Sequence, residues 1–217
     1  YGASAAAELR RLLRAFPNAP WAERAQFYLG EAYFQAGRYG RSAKAFESYL
    51  NRYPAGNWAE NALRRLYDVG VALSEERGAL DRAVDVLEKV VEHAPVGPLA
   101  DDAVFAIGEA YFRGGDYAAA RDQFDHLIRN YPRSELAVRA RVRRAYCNAR
   151  LVEGAPYDLT PVLEAKKDLE VLSRVSGDAT LRRQAAEMRD VLARSDYEAG
   201  LFYFRQGNVE AGMRYMR

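Results

Sequence analysis

With 217 residues, 49% of them hydrophobic and only 8 prolines and 16 glycines, the chain can bury a large core and keep long stretches free of helix breakers. Its 32 Lys and Arg against 30 Asp and Glu give no global basic field that captures nucleic acid by counterion release, which excludes nucleic acid as the main partner. No run approaches the ~18 consecutive apolar residues of a spanning helix, the first residues lack the charged and apolar regions of a signal peptide, and the single cysteine, Cys147, rules out an intrachain disulfide without deciding the compartment.

The chain opens inside a helical pattern (Ala5, Ala6, Leu9, Leu13), read as the end of a preceding repeat over residues 1–17. A pattern Pro-x-x-x-[Trp/Leu]-Ala-x-x-Ala then occurs four times, from Pro17 to Ala25, Pro54 to Ala62, Pro95 to Ala103 and Pro132 to Ala140, at spacings of 37, 41 and 37 residues. Such periods predict an all-α fold, a right-handed superhelical solenoid of stacked helix-turn-helix repeats, and not a closed globule around a central cleft.

Residues 18–54 form the first full repeat. Helix A runs from about Trp21 to Gln35 with Pro20 at its first position and Ala25, Leu29 and Ala32 as its stripe; Gly37 breaks it, and helix B follows from about Tyr39 to Arg52. Gly30 sits mid-helix, where glycine costs about 1 kcal/mol relative to alanine, so a close crossing of helices A and B is expected there and at Gly108. Residues 55–95 are an irregular repeat, with Tyr67 at the position aligned to Gly30 and a longer loop from Ser74 to Ala79. Residues 96–132 copy the first repeat: Gly108-Glu-Ala-Tyr-Phe112 matches Gly30-Glu-Ala-Tyr-Phe34, and Phe124 and Pro132 stand where Phe46 and Pro54 stand. Asn57 with Glu60, Asp81, Asp116 and Ser134 are the expected N-caps.

The fourth repeat, residues 133–177, is extended: a helix from Leu136 to about Val152, a loop from Glu153 to Leu159, and a helix opened by Thr160-Pro161 that runs to about Ser173. A long helix from about Ala179 to Gln206 carries the stripe Leu181, Ala185, Met188, Leu192, Ala199 and Phe202. It ends in Gly200, Tyr203 and Gly207, the spacing of Gly30, Tyr33 and Gly37, so residues 178–217 read as a truncated last repeat of one continuous domain, with sequence expected to continue on both sides.

Catalytic constellations are sparse. His93 and His126 lie in different repeats with no partner at metal-ligand spacing, no Ser-His-Asp set or phosphate-binding glycine loop occurs, and Cys147 reads as a buried structural thiol. Glu31 and Glu109 match through repeat symmetry without needing an acid-base role. The expectation is a protein without enzymatic activity, metal or cofactor.

Binding is the better-supported chemistry. The A helices of a solenoid of this kind line its inner groove, which places Arg24, Phe27, Glu31, Phe34 and Gln35 there, with Asp102, Phe105, Glu109, Phe112 and Arg113 in the third repeat. The four phenylalanines either fill space between neighbouring A helices or supply apolar contact to a bound peptide. Arg139, Arg143, Tyr146 and Arg150, at spacings of four, three and four, share one face of the fourth A helix. That stripe either pairs with Glu164, Asp168 and Glu170 or grips a partner's carboxylate.

Leu29, Gly30, Tyr33, Phe46 and Pro54, and again Ile107, Gly108, Tyr111, Ala120, Phe124 and Pro132, resemble the tetratricopeptide signature. The Tyr53-Pro54 and Tyr131-Pro132 repeat ends, the longer fourth unit, and the stretch from Leu192 through Tyr197 to Tyr203 followed by a new helix together resemble the BamD family of outer-membrane assembly lipoproteins. That resemblance implies a periplasmic scaffold held to the inner face of the outer membrane by a lipid anchor outside these residues. Its partners would be membrane-assembly subunits or client peptides. Two alternatives are an adaptor like the periplasmic Tol-Pal coordinator, and the superhelical arm of a larger cell-wall enzyme.

Overall fold

The computed structural model describes residues 2–152, 171 and 179–216. Among these it contains ten helices and no strand. The four Pro-x-x-x-[Trp/Leu]-Ala-x-x-Ala segments share one local solution. In each, two successive tight turns lead into the helix: the Gly56 N–H donates to the Tyr53 carbonyl at 3.0 Å and Ala59 to Gly56 at 3.1 Å, as Ser134 donates to Tyr131 at 3.0 Å and Ala137 to Ser134 at 3.1 Å. The carbonyl of the Trp or Leu then accepts the first helical bond from the last alanine, at 2.9 Å from Ala25, 2.7 Å from Ala62, 2.9 Å from Ala103 and 2.8 Å from Ala140. The motif is therefore a helix-initiating turn. Pro20 belongs to the turn, not to the first helical position, because the helix starts only at Ala22.

The chain divides into two units, Tyr1–Ala110 and Tyr111–Arg217. The first holds α1 (Gly2–Ala15), α2 (Ala22–Gln35), α3 (Tyr39–Arg52), α4 (Ala59–Glu75), α5 (Leu80–His93) and most of α6 (Ala100–Gly114). From α1 to α5, each helix packs on the next. Helices α2 and α3 meet at Gly30, where a Cβ would lie 2.5 Å from the Phe46 ring, itself fully buried. The Ser42 hydroxyl donates to the Gly30 carbonyl at 2.9 Å beside it. In the second repeat the same contact is made by Gly70, whose Cβ would come within 2.6 Å of Leu87. Tyr67, aligned with Gly30 by the 37-residue period, is half-buried instead: the extra residues lengthen α4 and shift the crossing by one turn. Chain reversal between paired helices uses Gly37 at φ 65°, a left-handed conformation that side chains disfavour.

The second unit holds α7 (Tyr117–Asn130), α8 (Ala137–Val152), α9 (Ala179–Arg205) and α10 (Val209–Tyr215). Helix α8 packs on α7 and on α9, and α9 on α10. At the last crossing Gly200 takes the place of Gly30, since a Cβ there would meet Met216 at 2.8 Å, and Gly207 reverses the chain at φ 75°. Helices α9 and α10 thus form a helix pair of the same kind. The loop from Glu153 to Leu159, the helix expected from Thr160 to Ser173, and Glu164, Asp168 and Glu170 lie outside the described residues.

Of the expected N-caps, Asp116 accepts from Ala119 N–H at 3.0 Å, and Ser134 Oγ accepts from Leu136 N–H at 3.0 Å in the turn before α8. Asn57 and Asp81 do not cap: the caps are Trp58 and Ala79, and Asp81 lies in the first turn of its helix, where a carboxylate faces the positive end of the helix dipole. The Asn57 N–H instead donates to Glu23 Oε1 at 2.7 Å, to which the Tyr49 hydroxyl also donates at 2.7 Å, while Trp58 N–H donates to Tyr49 Oη at 3.0 Å. This network ties the end of the first repeat to the start of the second.

Two predictions follow from these contacts. Gly30→Ala drives a Cβ into the fully buried Phe46 ring and destabilises by about 1–3 kcal/mol. Gly40→Ala, in a helical position with nothing within 4 Å, stabilises by about 0.4–1 kcal/mol, so urea unfolding of the two variants gives shifts of opposite sign. The Tyr49 hydroxyl is pushed up to about 12, first by burial and then by its bond to Glu23. A folded pKa above the unfolded value of about 10 means stability that is fully present below pH ~10 and lost as pH rises toward ~12. Tyr49→Phe costs about 1 kcal/mol at neutral pH, and its deficit narrows between pH 10 and 12; a constant deficit over that window would contradict the assignment.

Candidate functional site

On α2 and α4, Glu31, Phe34, Arg65 and Asp68 come together across 34 residues of sequence. Glu31 and Phe34 are one turn apart, as are Arg65 and Asp68, so each helix presents its pair on one face. Arg65 Nη2 donates to Glu31 Oε2 at 3.2 Å, and its Nε lies 2.8 Å from Glu31 Oε1 as a close ion pair without a second hydrogen bond. Its Nη1 donates to Asp68 Oδ2 at 3.3 Å, and the guanidinium lies 5.5 Å from the Phe34 ring centre. Phe34 rests in turn on Tyr39, ring centres 5.5 Å apart. The Glu31 side chain is 15% exposed and that of Arg65 39%, so the carboxylate is covered while the guanidinium keeps an open edge.

The second unit builds a related arrangement. Phe112, near the C-terminal end of α6, packs edge-on against Tyr117 of α7 with centres 5.4 Å apart. Arg143 of α8 lies 5.0 Å over the Phe112 ring, and Arg150, two turns further along, lies 6.0 Å over Tyr117. Cation–π contacts of this kind contribute roughly 0.5–1 kcal/mol when exposed and more when dry. Arg144 points elsewhere, to Asp125 of α7 at 2.6 Å, in a pair only 15% and 24% exposed. Neighbouring arginines on one helix therefore divide between packing α7 to α8 and dressing the aromatic face. Arg139 is exposed and Tyr146 half-buried.

The remaining candidates separate by burial. Phe27 is 6% and Phe105 7% exposed. Phe27 stacks on Trp58 at 4.9 Å and touches the Phe46 and Tyr49 rings, so it joins the first repeat to the second and presents no surface. Arg24 stands apart, exposed and 5.5 Å over Tyr28. Glu109 is half-buried. Arg65, Tyr39 and Tyr117 were not singled out by the sequence pattern. The signal was present: Arg143 follows Arg65, and Tyr117 follows Tyr39, by the same 78 residues that separate Phe112 from Phe34. No group of three or more His, Cys, Asp and Glu that could hold a metal gathers among the described residues, and none of their helices is long and apolar enough to cross a membrane. Cys147 is buried.

Paired helices crossing at glycine, repeated along the chain, define a tetratricopeptide-repeat protein, and residues 3–57 match the tetratricopeptide repeat family model. Residues 59–216 match the model of the YfiO family, described as outer membrane lipoprotein, and the chain belongs to that family, which is the family of BamD. It is a helical-repeat protein-interaction scaffold, from families that are generally non-catalytic. No curated protein matches it. Among solved structures it is similar to MamA (15% identity over 90% of this chain and 88% of that one, TM-score 0.45). It is also similar to tetratricopeptide-like repeats of a Podospora anserina putative kinesin light chain (16% identity, 91% and 96% covered, TM-score 0.49). A third likeness is to a tetratricopeptide repeat protein from Parabacteroides merdae (15% identity, 99% and 92% covered, TM-score 0.42).

The Glu31–Arg65 contact is open to a double-mutant cycle. Glu31→Gln and Arg65→Gln should show a coupling of about 0.5–1 kcal/mol at low salt that shrinks at 1 M salt, read by urea unfolding. Strict additivity of the two would show that the pair contributes nothing to stability.

Proposed function

We propose that this chain serves outer-membrane protein assembly in the manner of BamD, on the periplasmic side of the outer membrane, by taking up segments of partner proteins on its A-helix faces. The observation that carries the reading is the pair of repeat-equivalent arginines held over phenylalanines, Arg65 at 5.5 Å over Phe34 and Arg143 at 5.0 Å over Phe112. Each places an apolar ring edge beside a guanidinium whose position is already set by its neighbours. An incoming segment then meets an ordered surface, and little side-chain entropy is lost on binding. Guanidinium forks suit carboxylates, so acidic side chains or a free C-terminus are the natural polar anchors, and the rings take the adjacent apolar residues. Membership of an outer membrane lipoprotein family supports the location, and a lipid anchor would lie outside these residues.

The test uses a fluorescent peptide from the C-terminal segment of an outer-membrane β-barrel protein, titrated at two salt concentrations against variants that keep the wild-type circular dichroism. Phe34→Ala and Phe112→Ala, each probing its own unit, are expected to speed dissociation several-fold. Arg143→Gln with Arg150→Gln should weaken binding chiefly at low ionic strength, because exposed charges more than about 10 Å apart are screened at 0.1 M salt. Wild-type binding by all of these variants would move recognition away from the A-helix faces.

A further inference from the structure

The first unit carries a second surface. Helices α1 and α3 flank a groove of about 560 Å³ whose floor is supplied by α2. Arg10 and Arg14 stand on the α1 wall, one turn apart; Arg41, Lys44 and Ser48 follow along the α3 wall. Between the walls lie Leu13 of α1 and the outer edges of Leu29 and Tyr33 of α2, both largely buried, and Gln26 of α2 donates from its Nε2 to the Ala45 carbonyl at 3.0 Å. Among the described residues no carboxylate lines the groove. Glu8, the carboxylate of α1, is taken by Arg11 at 3.1 Å, and Glu47 of α3 lies outside the groove.

Among the described residues Arg10, Arg14, Arg41 and Lys44 have no ion-pair partner, although all four are exposed. Arg41 lies 5.9 Å over the Tyr33 ring, and Arg52, at the groove's end, is held by the Pro17 carbonyl at 2.8 Å and Asn18 Oδ1 at 2.9 Å. The imbalance is local: residues 1–52 hold eight Lys and Arg against four Asp and Glu, in a chain with 32 against 30. Like charges facing each other across a short gap raise the potential between them, and an anionic partner relieves that repulsion.

The layout of the charges selects among anions. From Arg41 to Arg52 the α3 wall spans eleven residues, about 16 Å at the helical rise, so the cations form two facing rows and not one convergent cradle. A single phosphate reaches only one level of such rows. A helix with carboxylates on both flanks of an apolar stripe meets both rows and lays the stripe on Leu13, Leu29 and Tyr33. We propose that the groove between α1 and α3 docks an acidic amphipathic helix of a partner protein, at a site distinct from the face of Glu31 and Phe34.

The probe is a synthetic 16-residue helical peptide with leucines on one stripe and glutamates on both flanks, compared with a scrambled peptide of equal composition, inorganic phosphate, and phosphatidylglycerol vesicles. The amphipathic peptide is expected to bind the whole chain at least tenfold tighter than the scrambled one, and 1 M salt should abolish most of that binding. Arg14→Gln with Lys44→Gln, both exposed and outside the core, should weaken it tenfold or more while leaving circular dichroism and binding of the β-barrel C-terminal peptide unchanged. Equal binding of the two peptides, or an unaffected double variant, would overturn the proposal. So would displacement of the peptide by phosphate at matched ionic strength, which assigns the groove to a small anion. Vesicle binding that needs the same two cations, with no peptide binding, would assign it to an anionic membrane surface.

Discussion

The fold rests on how closely two helices of one repeat can approach. At Gly30 and Gly70 the paired helix sets a bulky side chain, Phe46 or Leu87, directly where a Cβ would stand, at 2.5 and 2.6 Å, and at Gly200 Met216, just past α10, does the same at 2.8 Å. Glycine in mid-helix costs backbone entropy, and the dispersion contacts of a ring or branched chain pressed against bare backbone offset that cost. Because the contact is made over a single residue, it defines the register of each pair. It also leaves the rest of both helices free for other partners.

That freedom explains the division of labour on α2. Its buried Leu29, Ala32 and Tyr33 cluster with Ala6 of α1 and Ala45 of α3, while Glu31 and Phe34 turn toward Arg65 of α4. Phe27, two turns before Phe34, is drawn into the next repeat's opening turn by Trp58. One phenylalanine thus becomes core and the other half-buried although both lie on the same helix, because the Trp58 ring covers Phe27 while Phe34 meets the Arg65 guanidinium and the Tyr39 ring. The third repeat keeps the same residue types at Phe105 and Phe112, the first buried and the second half-buried.

Charge in this chain is arranged by pairing more than by quantity. Among the described residues cations find partners within a turn of their own helix or on the adjacent helix, as Lys89 does with Glu92 and Arg144 with Asp125. Such pairs are worth little to stability at exposed positions, yet they cancel the field locally. Where pairing stops, in the groove between α1 and α3, a nearly neutral chain acquires a basic face. A net charge of +2 conceals that segregation, which is why composition alone excludes a global nucleic-acid field and says nothing about acidic protein partners.

The helix breaks and the family were legible in the residues because each depends on local chemistry. Gly37 and Gly207 reverse the chain at positive φ, Asp116 caps α7, and the Trp or Leu of each proline-led segment receives the first helical bond; all involve neighbours within a few positions. Periodicity likewise marked Leu29 and Ala32 as buried. It marked the second repeat as irregular but not where its crossing falls, because an extra turn in α4 moves the glycine contact to Gly70 and a constant period cannot locate an insertion. Which arginine grips which carboxylate was beyond the sequence as well. Arg65 meets Glu31 from 34 residues away, and Arg143 takes Phe112 while its neighbour Arg144 takes Asp125. The sequence by itself determined the helices, their breaks and their stacking faces, since backbone sterics and apolar spacing act locally. Only the tertiary structure decided which polar side chains meet and which rings stay open, because both depend on how neighbouring helices are offset and rotated.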